Sequence, residues 1–162
     1  DGVHFDPIPI NADKHAPSKL LAKNNQSCVL RISTARHSVL LTGDIEAISE
    51  MQLLTTHGAH RLQSRVLVAP HHGSKTSSTE PFLKAVQPEI ALIQAGWQNQ
   101  FGHPHPQVIT RLKFMGTDVY NTAQNGAMKW YFQYKEATPS VTLASETRRR
   151  YWHMHENSAK AP

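Results

Sequence analysis

Short apolar runs and amphipathic stretches alternate along the first 134 residues of the chain. Strand-sized apolar runs cover residues 27–32, 38–42, 65–69, 90–95, 117–120 and 128–134. Stretches with apolar residues at helical spacing lie between them and cover residues 45–56, 77–86 and 106–115. Because strands and helices alternate, the pattern predicts an α/β domain in which helices pack on a sheet.

Two side chains in these elements have a structural interpretation. Ser77 opens the sequence of residues 77–80, which matches a capping box, so we predict that it caps the following helix. Cys28 lies among apolar strand residues and is predicted to belong to the core. Since Cys28 is the single cysteine of the chain, an internal disulfide framework and a zinc site built from several thiolates are excluded.

Composition narrows the class of protein. A chain of 162 residues with 39% hydrophobic residues is long enough for one domain with a core. Its longest apolar runs are far shorter than a helix that spans a bilayer, so we expect a soluble segment. The formal net charge of +5 favours polyanionic partners such as DNA. Residues 135–162 lack a regular pattern and are predicted to form a basic, flexible tail, in which residues 148–152 mix cations and aromatic rings as single-strand binders do.

The residues that could bind a metal or take part in a reaction follow three of the predicted strands. Asp44 comes directly after residues 38–42, and His71 and His72 come directly after residues 65–69. His103 and His105 follow the strand of residues 90–95 after a short loop. The carboxyl ends of parallel strands meet at one edge of a sheet, where α/β proteins bind ligands. If these strands are parallel neighbours, the three clusters converge.

A carboxylate together with imidazoles is a ligand set for Zn²⁺, Mn²⁺ or Fe²⁺. With only one cysteine available, a catalytic site with an open position is expected rather than a closed structural one. A divalent metal, Zn or Mn, would supply a metal-bound hydroxide near neutral pH. Ser74 and Lys75 follow the histidine pair and are interpreted as phosphate contacts beside this metal, because neither a Walker A loop nor a G-x-S-x-G elbow is present.

In combination, these residues resemble the metallo-β-lactamase-like domain of ComEC-type competence proteins. The resemblance covers residues 2–134 and is specific because several motifs occur in the same order. The motifs are Asn25-x-Ser27-Cys28-Val29-Leu30, Leu40-Leu41-Thr42-Gly43-Asp44, Pro70-His71-His72-Gly73-Ser74-Lys75-Thr76-Ser77, Phe101-Gly102-His103-Pro104-His105-Pro106 and Asn125-Gly126-Ala127.

The resemblance implies an αββα sandwich with metals at the edge of the sheets. It implies that Asp44 is a bridging carboxylate, that the pair His71 and His72 provides a metal ligand, and that Lys75 lies near the scissile phosphate. His103 and His105 would line the same site. It also implies a parent protein in the bacterial inner membrane that takes up DNA, with this domain outside the membrane hydrolysing the strand that is not transported. The partners would be DNA and the membrane channel portion of the parent.

The chain departs from the pattern of this family at its amino-terminal end. The first ligand cluster, an H-x-D-x-D-H-like run, is absent, and neither residues 4–6 nor residues 13–15 replace it. We therefore expect only the C-terminal half of the sandwich, with an exposed face through which the chain associates with itself. Two alternatives remain open: a non-catalytic module that binds DNA or docks to a partner, and a hydrolase of small phosphodiesters with the same fold.

Overall fold

Six strands form one mixed sheet in the order in which they occur along the chain. The computed structural model describes residues 2–10, 23–133, 136 and 138–147. The strands are His4–Ile8 (β1), Val29–Ser33 (β2), Ser38–Leu41 (β3), Val66–Val68 (β4), Ile90–Ile93 (β5) and Asp118–Asn121 (β6). β1, β2 and β3 pair antiparallel, whereas β3, β4, β5 and β6 pair parallel to one another.

Helices connect the parallel strands, as a parallel pairing requires. Ala47–His57 (α1) and Ala59–Leu62 (α2) link β3 to β4, Glu80–Val86 (α3) links β4 to β5, and Pro106–Phe114 (α4) links β5 to β6. The predicted α/β class is therefore confirmed. The sequence pattern did not indicate β1, because Pro7 interrupts it; a strand at the sheet edge accepts proline on its unpaired side. None of the described helices is long and apolar enough to cross a membrane.

One face of the sheet carries the hydrophobic core. Leu40, Leu67 and Ala91 lie side by side in the register of β3, β4 and β5, and all three are completely buried. Phe82 of α3 and Leu112 of α4 are also completely buried in this core. The helices thus cover this face and hold the parallel strands, and with them the loops at their carboxyl ends, in fixed positions.

The opposite face of the sheet is apolar and, towards the carboxyl ends of its parallel strands, only half-buried. Leu41, Val68, Leu92 and Tyr120 lie side by side across β3, β4, β5 and β6, and each is of intermediate exposure. The ring of Trp130 meets that of Tyr120 edge-on, at a centroid distance of 5.1 Å. An apolar sheet face of this kind is typical of a layer that another element covers.

Beyond β6, the chain forms a separate hairpin. Thr122–Asn125 (α5) precedes Met128–Tyr131 (β7), which pairs antiparallel with Ser140–Leu143 (β8), and Ala144–Thr147 (α6) follows. β8 and α6 lie in the segment predicted to be a tail, and Leu143 is buried. Four residues are too few for a recognisable period, so only the pairing with β7 identifies β8. Residues 148–152 lie outside the described residues.

Two predictions for single side chains are wrong. Cys28 is exposed, because β2 begins at Val29 and Cys28 lies in the turn before it. Ser77 does not cap α3, whose N-cap is Thr79. The buried carboxylate of Glu50 serves this helix end instead, since it accepts hydrogen bonds from the amides of Ser78 and Thr79 and from the Thr79 hydroxyl. Burial raises the pKa of Glu50 above its ordinary value of 4.5, although these hydrogen bonds and Arg111 oppose the shift.

Candidate functional site

The loops that follow β3, β4 and β5 meet at the carboxyl edge of the parallel strands. The amide of His71 donates to the carbonyl of Gly43 at 3.0 Å, which ties the second loop to the first. The amide of His105 donates to the carbonyl of Gly73 at 2.9 Å, which ties the third loop to the second. Backbone hydrogen bonds therefore join the three polar clusters of the sequence into one surface.

At two positions in these loops, glycine allows another segment of the chain to approach the backbone closely. Gly43 has a φ of 57°, and a Cβ at this position would lie 2.7 Å from the Cβ of Ser27. Gly73 has a φ of 76°, and a Cβ there would lie 2.9 Å from the Cβ of Pro104. Glycine is thus required at both positions for space as well as for conformation.

The histidine pair lies in a strained turn. His71 and His72 have φ values of 48° and 55°, in the left-handed region that costs a residue with a side chain roughly 1–3 kcal/mol. The buried hydroxyl of Ser77 lies 2.8 Å from the carbonyl of Pro70 and 3.0 Å from that of Ser74, and it donates a hydrogen bond to them. Ser77 therefore links the two ends of the turn that carries His71 and His72.

His72 forms a pair with Asp44. Its Nε2 lies 3.4 Å from Oδ1 of Asp44, and both side chains are almost half exposed, at 47% and 44%. Its Nδ1 lies 2.7 Å from the carbonyl of Gln94, which only accepts, so Nδ1 carries a proton and donates it to this carbonyl. The Ser27 hydroxyl accepts from the amide of Asp44 at 3.0 Å and holds this residue in place. The pair lines a cavity of about 250 Å³.

The Asp44–His72 pair fits one edge of a metal coordination shell. An imidazole nitrogen and a carboxylate oxygen bound to the same tetrahedral zinc lie about 3.4 Å apart. The hydrogen bond from Nδ1 to Gln94 is the outer contact that usually orients a metal-bound histidine. Among the described residues, no group of three potential ligands is close enough to hold a metal ion. The part of the chain that the structure describes therefore brings together two potential metal ligands, Asp44 and His72.

His71 lies in a different environment from His72. Its Nδ1 faces Oε1 of Glu46 at 3.3 Å, and its Nε2 lies 3.3 Å from the amide nitrogen of Asn24. Glu46 also accepts a hydrogen bond from the Thr76 hydroxyl at 2.9 Å. Neither Glu46 nor Asn24 was predicted from the sequence, although Glu46 lies only two residues after Asp44. Since the side-chain amide nitrogen of Asn24 only donates, Nε2 of His71 accepts from it, and Nδ1 carries the proton that faces Glu46.

The third loop adds two more imidazoles with different roles. The ring of His103 meets the ring of His71 edge-on, at a centroid distance of 5.8 Å. Burial lowers the pKa of His103, and positive charge on His71, His72 or His105 would lower it further. His105 is the N-cap of α4, and its Nδ1 accepts from the amide of Gln107 at 3.2 Å. The lone pair of this nitrogen therefore accepts a hydrogen bond from the first turn of α4.

Ser74 and Lys75, the predicted phosphate contacts, differ in accessibility. Lys75 is exposed in the turn between the histidine pair and α3. Ser74 is buried, and its hydroxyl lies 3.1 Å from the hydroxyl of Thr76. The amide of Ser74 donates to the carbonyl of His71 at 2.9 Å. Of the two, only Lys75 presents its functional group to solvent at the edge of the site.

The chain is similar in sequence to several curated bacterial proteins. Competence protein ComA of Neisseria gonorrhoeae is 36% identical over 130 residues, which are 80% of this chain. ComE operon protein 3 of Bacillus subtilis is 37% identical over 120 residues, or 74% of the chain. Recombination protein 2 of Haemophilus influenzae is 40% identical over 111 residues, or 68% of the chain. The homologues are competence proteins of the ComEC type.

The similarity covers only part of these competence proteins. The matched segment is 18% of the Neisseria protein, 15% of the Bacillus protein and 14% of the Haemophilus protein. The chain thus spans less than a fifth of the length of the curated relatives it matches. No protein-family profile matches the chain.

Proposed function

We propose that this chain is the C-terminal part of a metallo-β-lactamase-like domain and that it acts in metal-dependent hydrolysis of DNA phosphodiesters during uptake. The observation that carries the proposal is the Asp44–His72 pair, whose 3.4 Å separation and Nδ1 anchor on Gln94 suit two ligands of one metal. The names of the competence proteins support the link to DNA uptake.

In this proposal, each residue at the strand ends has a defined task. Asp44 and His72 hold a divalent metal, Zn or Mn, and Ser27 and Gln94 fix the positions of these two ligands. When bound, such a metal supplies a nucleophile derived from water near neutral pH. The exposed ammonium group of Lys75 offsets the negative charge that develops on the phosphate.

The half-buried face of the sheet supports the sandwich. In an αββα arrangement, a second sheet covers the apolar face formed by Leu41, Val68 and Leu92. The same second layer would bring the further metal ligands to the Asp44–His72 pair. In the absence of this layer, the apolar face leads the chain to associate with itself, which size-exclusion chromatography would detect as a dimer or a larger species.

The remaining parts of the proposal concern the longer protein. We propose a parent in the bacterial inner membrane, with this domain outside the membrane and next to the channel portion, as the resemblance to ComEC-type competence proteins implies. The DNA strand that is not transported would reach the site there. This arrangement would place hydrolysis beside the point at which the other strand enters.

The first test is metal content and hydrolysis. The purified chain is dialysed without chelator, its Zn and Mn are measured by elemental mass spectrometry, and cleavage of an oligonucleotide is followed with and without EDTA. Asp44→Ala should lose both the metal and the cleavage. Asp118→Ala is the matched control, because Asp118 is exposed on β6. Cleavage that survives both EDTA and Asp44→Ala would contradict the proposal.

A non-catalytic DNA-binding module is the second candidate. It is favoured by one observation, namely that only two potential ligands meet among the described residues. Binding by a basic surface should survive EDTA and Asp44→Ala, and it should weaken steeply with added salt, because each phosphate contact releases counterions. DNA affinity that falls in Asp44→Ala but is insensitive to salt would exclude this second function.

A further inference from the structure

The loop between β5 and α4, which also carries His103 and His105, exposes two large aromatic side chains. Trp97 is 59% exposed and Phe101 is 70% exposed, whereas Phe82 of the core is completely buried. Neither ring of this loop is part of the hydrophobic core. Exposed aromatic side chains next to a polar site are characteristic of a surface that binds a ligand.

Ring contacts connect Phe101 to the histidine pair. Phe101 stacks on His103 with a centroid distance of 5.9 Å and an interplanar angle of 23°. His103 in turn meets His71 edge-on at 5.8 Å, and His71 is the neighbour of His72. Since Phe101 remains 70% exposed while it stacks on His103, much of its ring surface is available to a ligand.

The loop that carries these rings is held in place by its own hydrogen bonds. The side-chain amide of Asn99 donates to the carbonyls of Gly96 and His103, at 3.0 and 2.6 Å. The side-chain carbonyl of Asn99 accepts from the amide of His103 at 2.9 Å. The rings are therefore presented on a preorganised loop, and little conformational entropy is lost when a ligand stacks on them.

We propose that Phe101, assisted by Trp97, stacks on a nucleobase of single-stranded DNA whose phosphodiester lies at the Asp44–His72 pair. The inference rests on the proposed function for the position of the phosphodiester and adds the form of DNA that the site accepts. In a duplex, neighbouring base pairs cover both faces of each base, so a flat aromatic ring binds unpaired nucleotides preferentially.

The test compares the affinity for two short oligonucleotides, an oligothymidylate and an abasic strand of the same length. Affinity is measured by fluorescence anisotropy in the presence of EDTA, so that no hydrolysis occurs. Phe101→Ala should weaken binding of the oligothymidylate roughly 5- to 100-fold and leave binding of the abasic strand unchanged. Phe101→Trp should retain the affinity. Phe114→Ala is the matched control, because Phe114 is 92% exposed at the end of α4 and should be neutral.

Three outcomes would overturn the stacking proposal. The first is that the unmodified chain does not bind oligothymidylate at low salt. The second is that Phe101→Ala weakens the affinity for the oligothymidylate and for the abasic strand equally. The third is that Phe114→Ala weakens the affinity for oligothymidylate as much as Phe101→Ala does. Failure of the proposed function has a different signature. If Phe101→Ala weakens binding of the oligothymidylate but not of the abasic strand, and no metal-dependent cleavage is found, the stacking proposal is supported and the proposed hydrolytic function is contradicted.

Discussion

Replacing Ser77 by alanine removes one oxygen atom beneath the strained histidine turn. The Ser77 hydroxyl is buried and donates to the carbonyls of Pro70 and Ser74. The Ser74 carbonyl also accepts from the amide of Ser77, so the substitution deprives only the Pro70 carbonyl of its side-chain donor. Such a loss costs about 1–3 kcal/mol. For a chain of this size, about 2 kcal/mol corresponds to a decrease in Tm of roughly 4–8 °C. The turn that carries His71 and His72 would also loosen, so under the proposed function the metal content of the variant should fall.

Ser78→Ala provides a control at the adjacent position. Ser78 is also buried, but its hydroxyl has no hydrogen-bond partner among the described residues, so its removal should change stability by less than about 0.5 kcal/mol. The assay is urea denaturation of both variants, with the midpoint and the slope m compared. Equal stability losses in the two variants, or no loss in Ser77→Ala, would refute this account of the turn.

Three further predictions concern other parts of the fold. Because burial raises the pKa of Glu50, the folded chain retains the proton of this carboxyl group to higher pH than the unfolded chain does. The free energy of unfolding should therefore fall as pH rises from 4.5 through the raised pKa. Glu50→Gln should remove this part of the pH dependence, which urea denaturation at a series of pH values measures. Gly73→Ala should destabilise the chain more than Gly116→Ala, since both have a φ near 75° but only the former meets Pro104; equal thermal shifts would contradict the loop contact. Cys28 should react with a thiol reagent as fast in the folded chain as in urea, and reaction only on unfolding would contradict its exposure.

The order of polar clusters and strands was sufficient to predict that these clusters meet at one edge of the sheet. Asp44, the histidine pair and the loop of His103 and His105 each follow an apolar run of strand length. Hydrophobic periodicity determines where strands end, and parallel neighbours place those ends at one edge. The sequence therefore predicted both the α/β class and the positions of the candidate residues along the chain.

Other features of the site depend on residues distant in sequence. The turn of residues 70–73 brings His71 next to Glu46. The Gln94 carbonyl that orients His72 follows a different strand, β5. No local pattern marks a peptide carbonyl as a hydrogen-bond acceptor for a particular side chain. Such partners become visible only once the strands are paired.

The sequence by itself thus determined the class of fold, the strand ends at which polar residues gather and the chemical types available there. Only the tertiary structure decided which imidazole of the pair faces Asp44, that Ser77 supports the turn, and that Cys28 is exposed. The physical reason is that apolar periodicity is a property of consecutive residues. The direction of a loop side chain, in contrast, follows from positive φ angles and hydrogen bonds that contacts from other loops stabilise.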